Sequence, residues 1–253
     1  MGILSCGVTN IGMVRETNQD AIYLNRENNL FVVADGMGGH NGGDIASSIL
    51  VKCVPEFYDR NSNLSPEEFL SGAIKFANKV IHNKGMDDEK LKGMGTTAVA
   101  CLFKDSHLYI GNVGDSRAYL IQGDRLYQLT IDHSLVQEKL SLSIVSGLGN
   151  YDRQKAEHDP QKNVLIRTVG FEENLSVDVY SYKVSRNDLF LICSDGLHGK
   201  VSDQEILSTW KKNQISNEEI TQDVIDQTVN DLIELANQNG GNDNISAIIM
   251  FAK

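Results

Sequence analysis

The chain has 253 residues, 41% of them hydrophobic and 23% charged, with a formal net charge of -11. That is ordinary globular composition in a chain long enough to bury a sizeable core. The acidic balance argues against nucleic-acid binding, because phosphate would repel the average surface; it suits either plain solubility or a cluster of carboxylates that binds cations. Four cysteines, Cys6, Cys53, Cys101 and Cys193, form no Cys-x-x-Cys pair and lie in apolar surroundings. They predict buried, reduced thiols in a cytoplasmic protein. No charged-then-apolar leader opens the sequence, and no apolar run is long enough for a membrane span. Met1-Gly2 resembles a myristoylation start, but Cys6 occupies the position that needs Ser or Thr.

In chain order, residues 3–8 and 21–24 read as short strands around a polar turn, Asn10 to Asp20. A strand at 30–34 runs straight into Asp35-Gly36-Met37-Gly38-Gly39-His40. A helix is predicted from about Asp44, with Ile45, Ile49, Leu50, Cys53 and Val54 on one stripe and Pro55 ending or kinking it. A second helix opens at Ser65-Pro66-Glu67-Glu68, which spells a capping box with proline in the first turn. Residues 82–92 read as a charged loop. Strands follow at 96–103, 107–113, 117–121 and 125–130, close enough in sequence to pair antiparallel. Residues 134–163 are polar, broken at Gly147-Leu148-Gly149, and predict a partly helical surface flap. Strands resume at 164–168, 176–184 and 188–194. Two further helices carry capping boxes, Ser202 to Glu205 and Ser216 to Glu219, the second long and apolar at Ile225, Val229, Leu232, Ile233 and Ala236. Gly240-Gly241 stops it, and a last strand runs from Ile245 to Phe251. Strands in runs and helices in pairs predict an α+β fold, a sandwich of antiparallel sheets with helix pairs outside, over one domain spanning 1–253.

Four carboxylates stand out by context. Asp35 and Asp195 end very apolar strands, Asp115 sits at a break between two strands, and Asp243 precedes the last one. A carboxylate at the end of a core strand is costly unless a cation or donor meets it. Converged, these groups would form an oxygen-ligand site suited to magnesium or manganese. Each taken singly reads more readily as an Asp that closes its own turn. Arg15 is either a phosphate clamp or a solvated surface cation. His40 is either a general acid or a loop histidine held by glycine-rich backbone. His82 and His107 read as surface residues, and His133 as a hydrogen-bonding anchor at the base of the flap. Cys-x5-Arg, Asp-x-Asp, P-loop and His-Glu-x-x-His patterns are all missing from the sequence, and the glycines at 36–43 miss the dinucleotide spacing. An enzyme with this inventory would work through metal-bound water.

Seven stretches, in order, carry a resemblance: Arg15-Glu16-Thr17-Asn18-Gln19-Asp20, Val33-Ala34-Asp35-Gly36-Met37-Gly38-Gly39-His40, Gly93-Met94-Gly95-Thr96-Thr97, Gly114-Asp115-Ser116-Arg117, Thr130-Ile131-Asp132-His133-Ser134-Leu135, Ser194-Asp195-Gly196-Leu197 and Gly241-Asn242-Asp243-Asn244-Ile245. From about Gly7 to Phe251 the chain resembles bacterial-type members of the metal-dependent Ser/Thr protein phosphatase (PPM) family. The resemblance implies a central β-sandwich flanked by helices, with two or three Mn2+ or Mg2+ ions in a cleft at one end. It implies that Asp35 bridges two metals beside the Gly36 carbonyl, that Asp195 and Asp243 complete one shell, and that Asp20 holds metal-bound water. Asp115 would bind a third metal with Asp195, and Arg15 would hold the substrate phosphate while activated water attacks in line.

Phosphorylated Ser/Thr proteins are the implied substrates, and a bacterial Ser/Thr kinase the implied counterpart, with the phosphatase a monomer. A catalytically silent PPM domain that binds phosphoproteins, or a magnesium-binding structural module, are the alternatives. Three departures are visible. Animal members place a histidine directly after Asp-Gly, where this chain has Met37, so the general-acid role would have to move to His40. Asp159-Pro160 lies in a long flap where His-Pro is common, and Ser246 replaces a usual Thr.

Overall fold

A computed structural model of the chain describes residues 2–61, 63–147, 151–215 and 219–253, with backbone alone at 39–41, 153–154, 157 and 215. Two antiparallel sheets lie face to face. The first contains β1 (Ile3–Asn10), β11 (Ile245–Ala252), β10 (Leu189–Cys193), β7 (Arg117–Gln122) and β8 (Arg125–Gln128), side by side in that order. The second runs β2 (Asp20–Asn25), β3 (Leu30–Met37), β5 (Ala98–Lys104), β6 (His107–Val113) and β9 (Asp178–Lys183), and the two-residue β4 (Gly95–Thr96) extends β3. Helices α1 (Gly39–Arg60) and α2 (Pro66–Asp87) cover the second sheet; α6 (Asp203–Ile215) and α7 (Gln222–Gln238) cover the first. The predicted α+β sandwich with outer helix pairs is the observed architecture.

Three apolar layers follow from strand alternation. On β3, Phe31 and Val33 point between the sheets, while Leu30, Val32 and Ala34 point at the helices. On β11, Ile248 and Met250 face the other sheet, while Ile245, Ala247, Ile249 and Phe251 face α6 and α7. Strands covered on both faces must be apolar at every position, which is why these two read as continuous runs.

Several sequence expectations shift. Helix α1 begins at Gly39, earlier than Asp44, and continues through Pro55 to Arg60. The glycines are helical because Gly42 and Gly43 pack where a Cβ would crowd Met94 and the Gly36 backbone. Past Pro55, Phe57 and Tyr58 stack on Phe69 and Phe76 of α2, with Tyr58 edge-on to Phe69 at 5.1 Å. That packing outweighs the one backbone hydrogen bond that proline removes. Helix α2 has the predicted capping box at Ser65 but runs on to Asp87, because Gly85 lets its last turn pass close to the Leu91 carbonyl.

Residues 164–168 form no strand; only single bridges tie Leu165 to Ser134 and Val169 to Thr96. The Ser202–Glu205 capping box is present. Ser216 lies outside the described residues, and α7 starts from Thr221 with no side-chain cap. Among the described residues the flap holds two helices, α3 (Leu135–Val145) and α4 (Arg153–His158), as its partly helical reading expected. Lys139 and Tyr151 both reach Asp159 Oδ2, at 2.9 and 2.7 Å, which fastens α3 to the end of α4.

Candidate active site

The seven stretches singled out in the sequence meet at one end of the sandwich, where they hold one another. Asp20 opens β2 directly opposite Asp35 on β3. Thr97 N–H donates to the Asp35 carbonyl at 2.8 Å, and Asp35 N–H donates to Thr97 Oγ1 at 2.9 Å. Thr97 Oγ1 in turn lies 2.7 Å from Ser116 Oγ. Arg117 grips Asp132 through Nε and Nη2, at 3.0 and 2.7 Å, so the turn carrying Asp115 is tied to the base of the flap. His133 completes that tie: its Nδ1 accepts from Gly114 N–H at 3.0 Å and its Nε2 meets Asp178 at 3.0 Å. The anchor role expected for His133 is what its geometry shows.

Asp195 does not simply end a strand. It begins a short helix, α5 (Asp195–His198), after Ser194. Ser194 Oγ donates to Asp20 Oδ2 at 2.7 Å and accepts from Ser246 N–H at 3.0 Å. Asp243 lies two residues before β11, and Arg15 Nη2 donates to its Oδ2 at 2.8 Å. Both partners are partly exposed, the Arg15 side chain at 50%. The hydrogen bond to Asp243 raises the Arg15 guanidinium, and the charges of Asp195 and Asp35 add to it.

The carboxylates act on each other. Burial, followed by Asp20, Asp195, Asp115 and Asp243, pushes the Asp35 carboxyl well above the usual carboxylate range. Burial first and then Asp195 raise Asp115 to about 8. Asp20 is raised to about 7 by burial, with Asp195 and Asp243 adding to it against the hydrogen bonds from Ser194 and Ser246. Asp195 is raised by burial and by Asp243 and is hydrogen-bonded to Asp35. Among the described residues no three His, Cys, Asp or Glu side chains close on one point at ligand distance, and Asp243 is held by Arg15.

The donor set nonetheless fits a hard divalent cation. It is all oxygen, it is mutually repulsive without positive charge, and Asp20 Oδ1 is buried with no hydrogen-bond partner.

Gly36 has a different reason from the one its sequence position suggests. A Cβ there would collide with the carbonyl of Gly43 and lie 2.6 Å from that of Gln19. The glycine is needed where α1 and the Arg15 loop close on β3. His40 falls in the first turn of α1, and its side chain lies outside what the structure describes.

Two residues escaped the sequence reading. His198 Nε2 donates to the Asp115 carbonyl at 3.0 Å, and burial pushes its imidazole down to about 3, so it stays neutral. Asn244 accepts from Gln19 N–H at 2.8 Å and donates to the carbonyls of Ile11 and Thr17 at 2.9 and 3.0 Å. It thereby pins the Arg15 loop against Asp243. Asn244 sits inside a quoted motif, so its signal was present; His198 follows one directly, without a pattern of its own.

Residues 13–248 match the protein phosphatase 2C family. The chain belongs to that family. Over 249 residues this phosphatase 2C chain is 36% identical to the serine/threonine phosphatase stp of Listeria monocytogenes, covering 96% of the one and 93% of the other. It superposes on the serine/threonine phosphatase PstP/Ppp of Mycobacterium tuberculosis with a TM-score of 0.86, at 28% identity and full coverage of both chains. The catalytic domain of PstP in complex with two manganese ions gives 0.83 at 28% identity, covering 98% of this chain and 97% of that one. The resemblance read from the seven motifs is borne out.

Proposed function

We propose that this phosphatase 2C chain removes phosphate from phosphoserine and phosphothreonine in proteins and opposes a Ser/Thr kinase of the same cell. It is a metal-dependent protein phosphatase; a silent, phosphoprotein-binding domain is not favoured. The observation that carries the reading is that Arg15, Asp20, Asp35, Asp115, Asp195 and Asp243 come together at one end of the sandwich.

Asp35, Asp195, Asp243 and the Gly36 carbonyl would hold the principal cations, with Asp20 orienting water and Asp115 joining Asp195 at a further position. When bound, the cations supply Lewis acidity toward water and the phosphoryl oxygens. Arg15 presents a planar donor fork to the phosphate, which orients it and stabilises charge on its equatorial oxygens. Ser194 and Asn244 hold Asp20 and the Arg15 loop in place. Mn2+ or Mg2+, two or three per chain, fits this reading, as does a monomer of one domain spanning 1–253 with a flap at 134–163. A cytoplasmic setting suits the four free cysteines. No helix among the described residues is long and apolar enough to cross a membrane.

Phosphate release from a phosphothreonine peptide tests the reaction. Turnover is expected with Mn2+ and not with EDTA. Asp195→Ala loses roughly a hundred-fold or more, and Arg15→Ala roughly ten- to a hundred-fold. Equal release under all four conditions, or none in any, overturns the reading. His40 is the proposed proton donor to the leaving alkoxide. The His40→Ala variant should lose the high-pH limb of the pH–rate profile, and an unchanged profile removes His40 from the mechanism.

A further inference from the structure

The antiparallel pairing of β3 with β4 sets an aromatic ring beside Asp35. Asp35 and Met37 are two residues apart on β3, so their side chains leave the same face. This is the face that sends Phe31 and Val33 between the sheets, and Asp35 and Met37 continue it past the core. Gly95 of β4 lies opposite Met37. Opposed residues of an antiparallel pair project to one side, and Gly95 has no side chain to project. The ring of Phe171 takes that place: a Cβ on Gly95 would fall 2.6 Å from Phe171 Cε1. Phe171 therefore lies on the carboxylate side of this strand pair, about 7 Å further along β3 than Asp35.

The backbone around Phe171 is clamped. Thr96 and Val169 exchange N–H to carbonyl bonds at 3.0 and 2.9 Å. The buried Asn78 accepts from Gly170 N–H at 2.6 Å and donates to the Glu172 carbonyl at 2.8 Å. Gly170 has φ +103, a conformation that favours glycine, and Ile81 of α2 occupies the space a side chain would need. Yet Phe171 is 49% exposed. A scattered surface aromatic needs no explanation. A ring on backbone held on both sides, half open to solvent and about 7 Å along the strand from Asp35, presents a fixed apolar surface beside the site.

We propose that Phe171, with Met37 beside it, forms an apolar subsite for the side chain next to the phosphorylated residue of the substrate. The phosphatase accordingly selects substrates with an aliphatic or aromatic neighbour there. The inference rests on the reading of this site as a phosphoprotein phosphatase. The ring gives rigid contact area at low entropic cost, and the thioether of Met37 adapts to what lies on it.

The test compares two phosphothreonine peptides in Mn2+, one with Leu on both sides of the phosphoresidue and one with Ser in those places. Wild type is expected to favour the Leu peptide about ten-fold in kcat/KM. Phe171→Leu keeps the preference and Phe171→Ser brings the ratio close to one. Phe171→Asp moves selectivity to a Lys-flanked peptide, a gain that misfolding cannot produce. Equal use of both peptides by wild type, or a Phe171→Ser variant with the preference intact, overturns the subsite. Failure of wild type to release phosphate from any peptide overturns the underlying reaction instead.

Discussion

Asp35→Asn is expected to lower kcat/KM on a phosphothreonine peptide about a thousand-fold while making the metal-free protein more stable at pH 8. Both effects have one source. Asp35 faces Asp20, Asp195, Asp115 and Asp243, and its carboxyl is raised well above the ordinary range by burial and by those neighbours. Ionising it in the folded chain without a cation works against all of them. Asn keeps the shape and removes the charge, so the repulsion should fall together with the proposed capacity to bind divalent cations. In thermal melts with EDTA at pH 8 the variant should unfold several degrees above wild type; below the unfolded carboxylate range, near about pH 3, the two should converge. Adding Mn2+ should raise the wild-type midpoint and leave the variant where it was. A variant that keeps activity, or melts below wild type in EDTA at pH 8, contradicts the assignment of Asp35 to the centre of the site.

In EDTA the wild-type chain should lose stability as pH rises from about 4 to about 8, opposite to a protein whose carboxylates are paired with cations. Asp20 is raised to about 7 and Asp115 to about 8, with Asp35 and Asp195 raised in the same direction. Raised folded-state values mean that the folded chain holds more protons than the unfolded one across this window. The stabilisation is fully present below the unfolded carboxylate range and is lost as pH passes the folded values. A drop of at least about 5 °C in midpoint is expected over that interval. Millimolar Mn2+ should flatten the slope, because the cation replaces the protons as the counter-charge. A midpoint that climbs with pH in EDTA would show that these carboxylates do not converge.

Much of the fold was legible because local patterns report which face of an element is buried. The unbroken apolar runs of β3, β10 and β11 follow from cover on both faces. The box at Ser65 and the apolar face of α7 were readable one turn at a time. What failed depended on neighbours. The continuation of α1 through Pro55 rests on rings of another helix. Its start among glycines rests on the close approach of Gly43 to Gly36. The segment 164–168 had strand-like residues but only single bridges to tie it.

The candidate site divides the same way. By itself the sequence determined the donor types: carboxylates placed where apolar strands end, an Arg in a polar turn, and glycines where backbones cross. Those choices are written one residue at a time, and the order of the seven motifs was enough to name the family. Only the tertiary structure decided that Asp20 stands opposite Asp35 and that Arg15 reaches Asp243 across 228 positions of sequence. It also decided that His198 supports Asp115 and that Phe171 fills the space left by Gly95. The reason is physical. Mutual repulsion, desolvation and close packing are properties of groups brought together through space, and strand register, which no local pattern encodes across such separations, sets which groups meet.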